Sequence, residues 1–221
     1  MTGDRPRVAV FRPDDERIEA AVDLLDDLGA DPVPDPMLAI DPTGATPRTD
    51  AAVTILTSKT GVELAAAAGW EPGATRLVAI GPSTAEAAES AGFDVDLVPE
   101  EYTSSGLVTA LENSVDGERV EVARSDHGSP VLLDGLAAAG AYVHETVLYE
   151  LVVPSEAGES VELAAAGDLD AVLFTSSLTV EHFLSIAAER GLEADVKAGL
   201  ETALVGAIGS PTAETAAVAG L

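Results

Sequence analysis

The sequence nearly repeats itself with an offset of a little over one hundred residues, and that self-similarity limits the folds open to it more than any other feature. Val8-Ala9-Val10-Phe11-Arg12 opens one copy and Val120-Glu121-Val122-Ala123-Arg124 the other, each a short apolar run ending in arginine. A helical pattern follows each run. In the first, Ile18, Val22, Leu25 and Leu28 fall at helical spacing, with Asp14 or Asp15 to cap the start and Gly29 at the end. In the second, Ser129 and Pro130 supply the N-cap and first turn before Leu132, Leu133 and Leu136, and Gly140 closes.

The echo continues downstream. Ala52-Val53-Thr54-Ile55-Leu56-Thr57-Ser58 matches Ala171-Val172-Leu173-Phe174-Thr175-Ser176, a buried strand running into hydroxyls and a helix. Val78-Ala79-Ile80-Gly81-Pro82-Ser83-Thr84-Ala85-Glu86 matches Ala207-Ile208-Gly209-Ser210-Pro211-Thr212-Ala213-Glu214, with the proline displaced so that the cap is expected one residue later. The first copy goes on through Asp94–Pro99 and a helix from Ser105 to Leu111, for which the second has no counterpart before Leu221. Alternating strands and helices joined by short turns predict parallel βα units, an α/β fold with helices on both faces of each sheet.

Two stretches, Pro34 to Asp41 and Glu145 to Pro154, read as extended connectors; in the second, Val147, Tyr149 and Leu151 alternate toward one face. The expected division is a discontinuous first domain, 1–35 plus 154–221, a second domain at 42–145, and linkers at 36–41 and 146–153.

Composition narrows the function. The 39 acidic against 11 basic residues give a formal charge of -28, yet 47% of the chain is apolar, so it is expected to be globular rather than disordered. Such a surface repels itself at low salt and suits a salt-rich cytoplasm. Sparse Lys and Arg argue against nucleic acid or an anionic membrane surface as partners. The opening residues lack the apolar core of a signal peptide, so a cytoplasmic protein is expected. With no cysteine and three scattered histidines, neither a disulfide nor a zinc centre is expected. There is no Gly-x-Ser-x-Gly elbow, no Walker loop and no Gly-x-Gly-x-x-Gly after the first strand.

In open parallel sheets ligands bind beyond the carboxyl ends of the strands. That edge carries Arg12, Thr57-Ser58-Lys59, Gly81 to Thr84, Arg124 to Ser129, Thr175-Ser176-Ser177 and Gly209 to Thr212. Hydroxyls and helix N-termini there suit a ligand with several carboxylates, although Ser and Thr are also ordinary N-caps. His127 lies in the turn after Arg124, where it can touch a ligand; His144 and His182 read as surface or strand-end residues, and Trp70 as packing. Tyr149, in an extended segment, can exchange a proton while its ring packs on a ligand. Tyr102 is the weaker aromatic candidate.

Taken in order, Arg12-Pro13, Leu56 to Val62, Val78 to Ala85, Val147 to Glu150, Phe174 to Val180 and Ala207 to Glu214 resemble the uroporphyrinogen-III synthase family over essentially the whole chain, in an acidic, haloarchaeal-type version. The resemblance implies two flavodoxin-like parallel-sheet domains joined by a two-stranded extended linker, a cleft site and no cofactor. It implies dehydration and cyclisation of hydroxymethylbilane with inversion of ring D, through an azafulvene and a spiro intermediate, in haem, sirohaem or cobalamin synthesis. Orientation of the substrate carries most of the task, with a smaller part for acid catalysis. By resemblance Tyr149 assists loss of the hydroxyl, and Ser58, Thr84, Ser176 and Thr212 hold acetate and propionate groups. Arg12, Lys59, Ser83, Arg124 and Ser177 complete the expected substrate-binding set. A monomer is expected, with at most a transient contact with the preceding deaminase. Two rival readings are a noncatalytic two-lobed small-molecule binding protein and a regulatory relative of response regulators.

Overall fold

A computed structural model describes residues 5–13 and 16–221, so the expected cap at Asp14 or Asp15 lies outside the described residues. In chain order these form β1 (Arg7–Val10), α1 (Glu16–Asp27), β2 (Asp31–Pro34) and β3 (Ala39–Pro42). Next come β4 (Val53–Leu56), α2 (Lys59–Ala67), β5 (Arg76–Ala79), α3 (Pro82–Ser90) and α4 (Ser104–Leu111). The middle of the chain ends with β6 (Arg119–Ser125), α5 (Pro130–Ala138) and β7 (Tyr142–Val152). The last third holds α6 (Glu159–Ala166), β8 (Ala171–Phe174), α7 (Ser177–Glu189), α8 (Glu193–Leu200), β9 (Leu204–Ala207) and α9 (Ser210–Ala219).

These elements fall into two compact units, residues 1–39 with 152–221 and residues 40–151. Unit 1 has a four-stranded sheet in the order β2-β1-β8-β9, all parallel. Unit 2 has five strands, β3-β7-β6-β4-β5, with β7, β6, β4 and β5 parallel. Counted from β1 in unit 1 and from β6 in unit 2, both sheets run 2-1-3-4, the order in which doubly wound folds begin. Beyond β5, Leu97 bridges Val78, with Ala79 N–H donating to Leu97 O and Asp96 N–H to Leu77 O, so unit 2 carries a rudimentary further strand. The extended reading of 145–154 falls largely on β7, which pairs with β6 from Tyr142 to Tyr149.

Burial follows the two-residue period of the strands. In unit 2, Val53, Ile55, Val78, Val120 and Val122 pack with Leu107, Leu111, Leu132 and Leu136 of α4 and α5. Leu56, Leu77 and Ala123 face the other way, onto Val62 and Ala65 of α2 and Ala88 of α3. Helices therefore cover both faces of this sheet, as expected. Trp70 packs edge-on against Phe93 at 5.5 Å. In unit 1, Phe11, Phe174 and Phe183 form a buried trio with centroids 4.9 to 5.6 Å apart.

Two sequence expectations need correction. The cap is not displaced between the repeats: Gly81 and Gly209 are both the N-cap, with φ of -166° and -168° and no side-chain cap bond. Proline fits at either of the first two helical positions because neither N–H has an intrahelical acceptor, so moving it leaves the cap in place. The amphipathic series of α1 also stops early. Ile18 is buried, but the helix ends at Asp27, and Leu24 and Leu28 remain 60% and 73% exposed. Helix α8 has no counterpart in the repeat; its signals were Glu193 in the first turn and Val196 and Leu200 one turn apart.

Candidate functional site

The best-formed polar constellation lies at the carboxyl edge of the unit 2 sheet. Strand β4 delivers Ser58 as the N-cap of α2, its Oγ accepting from Gly61 N–H at 2.9 Å. Strand β7 delivers Tyr149, whose phenol donates to the same Oγ at 3.0 Å. A local irregularity makes this possible. Arg124 pairs with Val147 and Ser125 with Tyr149, so Leu148 is an extra residue on β7. The bulge turns Leu148 and Tyr149 onto the same face, where both join the core beside α2. The expected alternation of Val147 with Tyr149 and Leu151 is broken there, since a bulge inserts one residue into a period of two. Tyr149 is 7% exposed and its ring packs in the core, not outward toward a ligand; Ser58 is half-buried.

The other sequence candidates are placed less directly. Lys59 is exposed and reaches Glu63 at 3.6 Å, one turn along α2. It lines, with Ser83, Glu63 and Glu86, a cavity of about 610 Å³ between α2 and α3. Arg124 is buried and committed: its Nε donates to Glu145 Oε1 at 2.5 Å and its terminal nitrogen to Ser129 O at 2.6 Å. It therefore braces the loop between β6 and α5 and has one terminal nitrogen without a bond among the described residues. Thr84 is 2% exposed, at the third position of α3. Tyr102 is 59% exposed and lies over Gly81, without a place in this constellation.

In the same loop His127 Nδ1 lies 2.9 Å from Asp126 Oδ1, and Asp126 also accepts Leu151 N–H at 3.0 Å. Burial pushes the Asp126 carboxyl up, but the hydrogen bonds from His127 and Leu151 outweigh it and hold the group below its usual value. On the opposite, amino edge, Glu121 is fully buried and bonded to His144 Nδ1 and Thr146 Oγ1, so His144 has a structural partner.

Unit 1 repeats the edge with different chemistry. Ser176 caps α7 in a capping box with Thr179, and Ser177 Oγ accepts from Thr215 Oγ1 at 2.9 Å. Thr175 Oγ1 donates to Phe11 O at 2.6 Å, and Thr212 is 4% exposed. Arg12 is half-buried and has no hydrogen-bond or ion-pair partner among the described residues. Ser176 thus serves as a cap, while Ser177 and Thr175 bond within unit 1. Of the expected set, Tyr149 and Ser58 are the pair in direct contact.

Sequence reasoning missed Glu145 as the partner of Arg124, and Asp35. Buried between Pro34 and Pro36, Asp35 accepts from Gly158 N–H at 2.9 Å and Ser160 N–H at 2.8 Å, and from Ser160 Oγ. A lone acid between two prolines was the available signal for Asp35; Glu145 had none. Among the described residues no helix is long and apolar enough to cross a membrane.

Fold and site together define a protein of two doubly wound α/β units, each with hydroxyls at the carboxyl edge of a parallel sheet. Residues 19–221 match the family model of uroporphyrinogen-III synthase HemD, and the chain belongs to that family. A protein from Methanothermobacter thermautotrophicus that bears the family's name is 40% identical over 121 residues, 53% of this chain and 48% of that protein. The uroporphyrinogen-III synthase of Synechococcus elongatus is 28% identical over 148 residues, 66% of this chain and 56% of that one. The matches thus span about half the length of these curated relatives. In fold, the chain is similar to a mutant uroporphyrinogen III synthase from Thermus thermophilus, with a TM-score of 0.66 at 22% identity, covering 98% of this chain and 90% of that one. The uroporphyrinogen-III synthetase of Helicobacter pylori gives 0.60 at 15% identity, covering 99% and 90%.

Proposed function

We propose that the chain catalyses the cofactor-free conversion of hydroxymethylbilane to uroporphyrinogen III, closing the linear tetrapyrrole with inversion of its last ring. The observation that carries this reading is the family match over residues 19–221. The Tyr149–Ser58 pair supports it, because loss of the terminal hydroxyl as water needs a proton at that oxygen. Ser83, Lys59, Ser176, Ser177, Thr84, Thr212, Arg12 and Arg124 remain the residues proposed to hold or frame the acidic side chains of the substrate. Arg12 is half-buried just beyond the carboxyl end of β1, where a direct contact with a carboxylate is proposed.

The charge of -28 supports a salt-adapted, haloarchaeal-type enzyme acting in the cytoplasm as a monomer, with at most a transient contact with the deaminase that supplies its unstable substrate. The two half-repeats of this fold also suit a noncatalytic binding protein, which would hold hydroxymethylbilane without turning it over.

The test is a coupled assay in concentrated KCl. Hydroxymethylbilane is generated in place, the protein added, the products oxidised and uroporphyrin isomers I and III separated. Predominant isomer III is expected. Isomer I alone, from protein shown to be folded, would refute catalysis.

A further inference from the structure

Building on the synthase reading, we propose that Ser58, not Tyr149, is the group that meets the leaving hydroxyl of the substrate, and that Tyr149 acts through it. Ser58 Oγ already accepts two hydrogen bonds, from Gly61 N–H at 2.9 Å and from the Tyr149 phenol at 3.0 Å. A hydroxyl has two acceptor sites and one proton, so with both sites filled Ser58 has only its proton left to offer. It is a donor toward any ligand. Tyr149 is in the opposite position: its proton is spent on Ser58, its ring is packed in the core with Leu56, Val62 and Leu148, and it is 7% exposed. Ser58, half-buried, is the outer member of the pair.

The step balances as a relay. The Ser58 Oγ–H bond breaks as a new O–H bond forms on the leaving hydroxyl, and the carbon–oxygen bond breaks with its electron pair going to water. Electrons from the adjacent pyrrole nitrogen close the azafulvene. Tyr149 passes its phenolic proton to Ser58 Oγ, leaving a phenolate for an instant. The proton released by the pyrrole nitrogen returns by way of Ser58 and restores Tyr149. The N-terminal end of the nine-residue α2, whose Gly61 N–H points at Ser58 Oγ, favours negative charge at this place.

Ser58→Asn separates this role from the structural one, because asparagine caps a helix about as well as serine but has no hydroxyl. The expected result is a fall in kcat for isomer III of about a hundredfold, the lower end of what general acids contribute, with KM within about twofold. Ser58→Gly, which also serves as an N-cap, gives the same loss, and Ser58→Thr restores most of the rate. Tyr149→Phe is also slow, and the Ser58→Asn/Tyr149→Phe double variant is no slower than Ser58→Asn alone, since the two act as one unit. A Ser58→Asn enzyme with normal kcat would overturn the proposal and leave the tyrosine as the donor. A fully active Tyr149→Phe enzyme would overturn the relay. Both outcomes differ from failure of the parent reading, in which the unaltered protein itself yields only isomer I.

Discussion

Replacing Asp35 by alanine should loosen unit 1 at one identifiable point. The carboxylate receives Gly158 N–H, Ser160 N–H and Ser160 Oγ–H where α6 begins, and Gly158, as N-cap in the left-handed region at φ 113°, has no side chain to do so. Hydrogen bonds to a carboxylate contribute a net of about 1.5–3 kcal/mol each, so loss of all three sets a ceiling of roughly 6 kcal/mol. Part of that is regained where water reaches Gly158 N–H and Ser160 N–H after truncation. The expected net loss is about 3 kcal/mol, or roughly 6–12 °C in melting temperature for a chain of this size. Trp70, the single tryptophan, lies in unit 2 and will not report the change. Thermal circular dichroism, with hydrogen exchange of the peptide 157–166, will. A loss below about 1 kcal/mol, or faster exchange spread equally through residues 40–151, would refute the reasoning.

Three further outcomes are expected. A β-carbon on Gly199 would stand 1.9 Å from Ala164 O, so Gly199→Ala must part α8 from α6 and should cost about 1–3 kcal/mol by denaturant titration. Because the Asp126 carboxyl is held below its ordinary value in the folded state, its contribution is complete above the unfolded value of about 3.9 and is lost as pH falls through the folded one; exchange in loop 125–129 should rise only there, and Asp126→Asn should abolish that dependence. Activity should rise steeply with salt, since screening shortens from about 10 Å at 0.1 M to about 3 Å at 1 M, and an optimum below roughly 0.1 M would count against salt adaptation.

How far the sequence was legible follows from the range of the interactions involved. Ser58 and Ser176 stood at strand-to-helix junctions in both repeats, and both cap helices, because capping is decided within a few residues. Gly81 and Gly209 were found for the same reason, although the displaced proline misled about the cap. Tyr149 was singled out, but its surroundings were not: the bulge at Leu148 depends on how β7 registers against β6, which no local pattern states. Arg124 was placed in the substrate-binding set without its ion pair, because Glu145, 21 residues away, carries no mark of being its partner. Asp35 shows the same limit more sharply, its donors lying 123 and 125 residues further along the chain.

Unit 2 is continuous in sequence, whereas β1 must find β8 more than 160 residues later before the unit 1 sheet exists. That search is shortened by the pairing of β3 with β7, which lie at the two ends of the inserted unit and are neighbours in one sheet. Once 40–151 has folded, the long loop separating the halves of unit 1 is already closed, and the remaining search joins segments that start side by side. During synthesis β1 and β2, paired with each other, are therefore expected to lack β8 until the insert is complete.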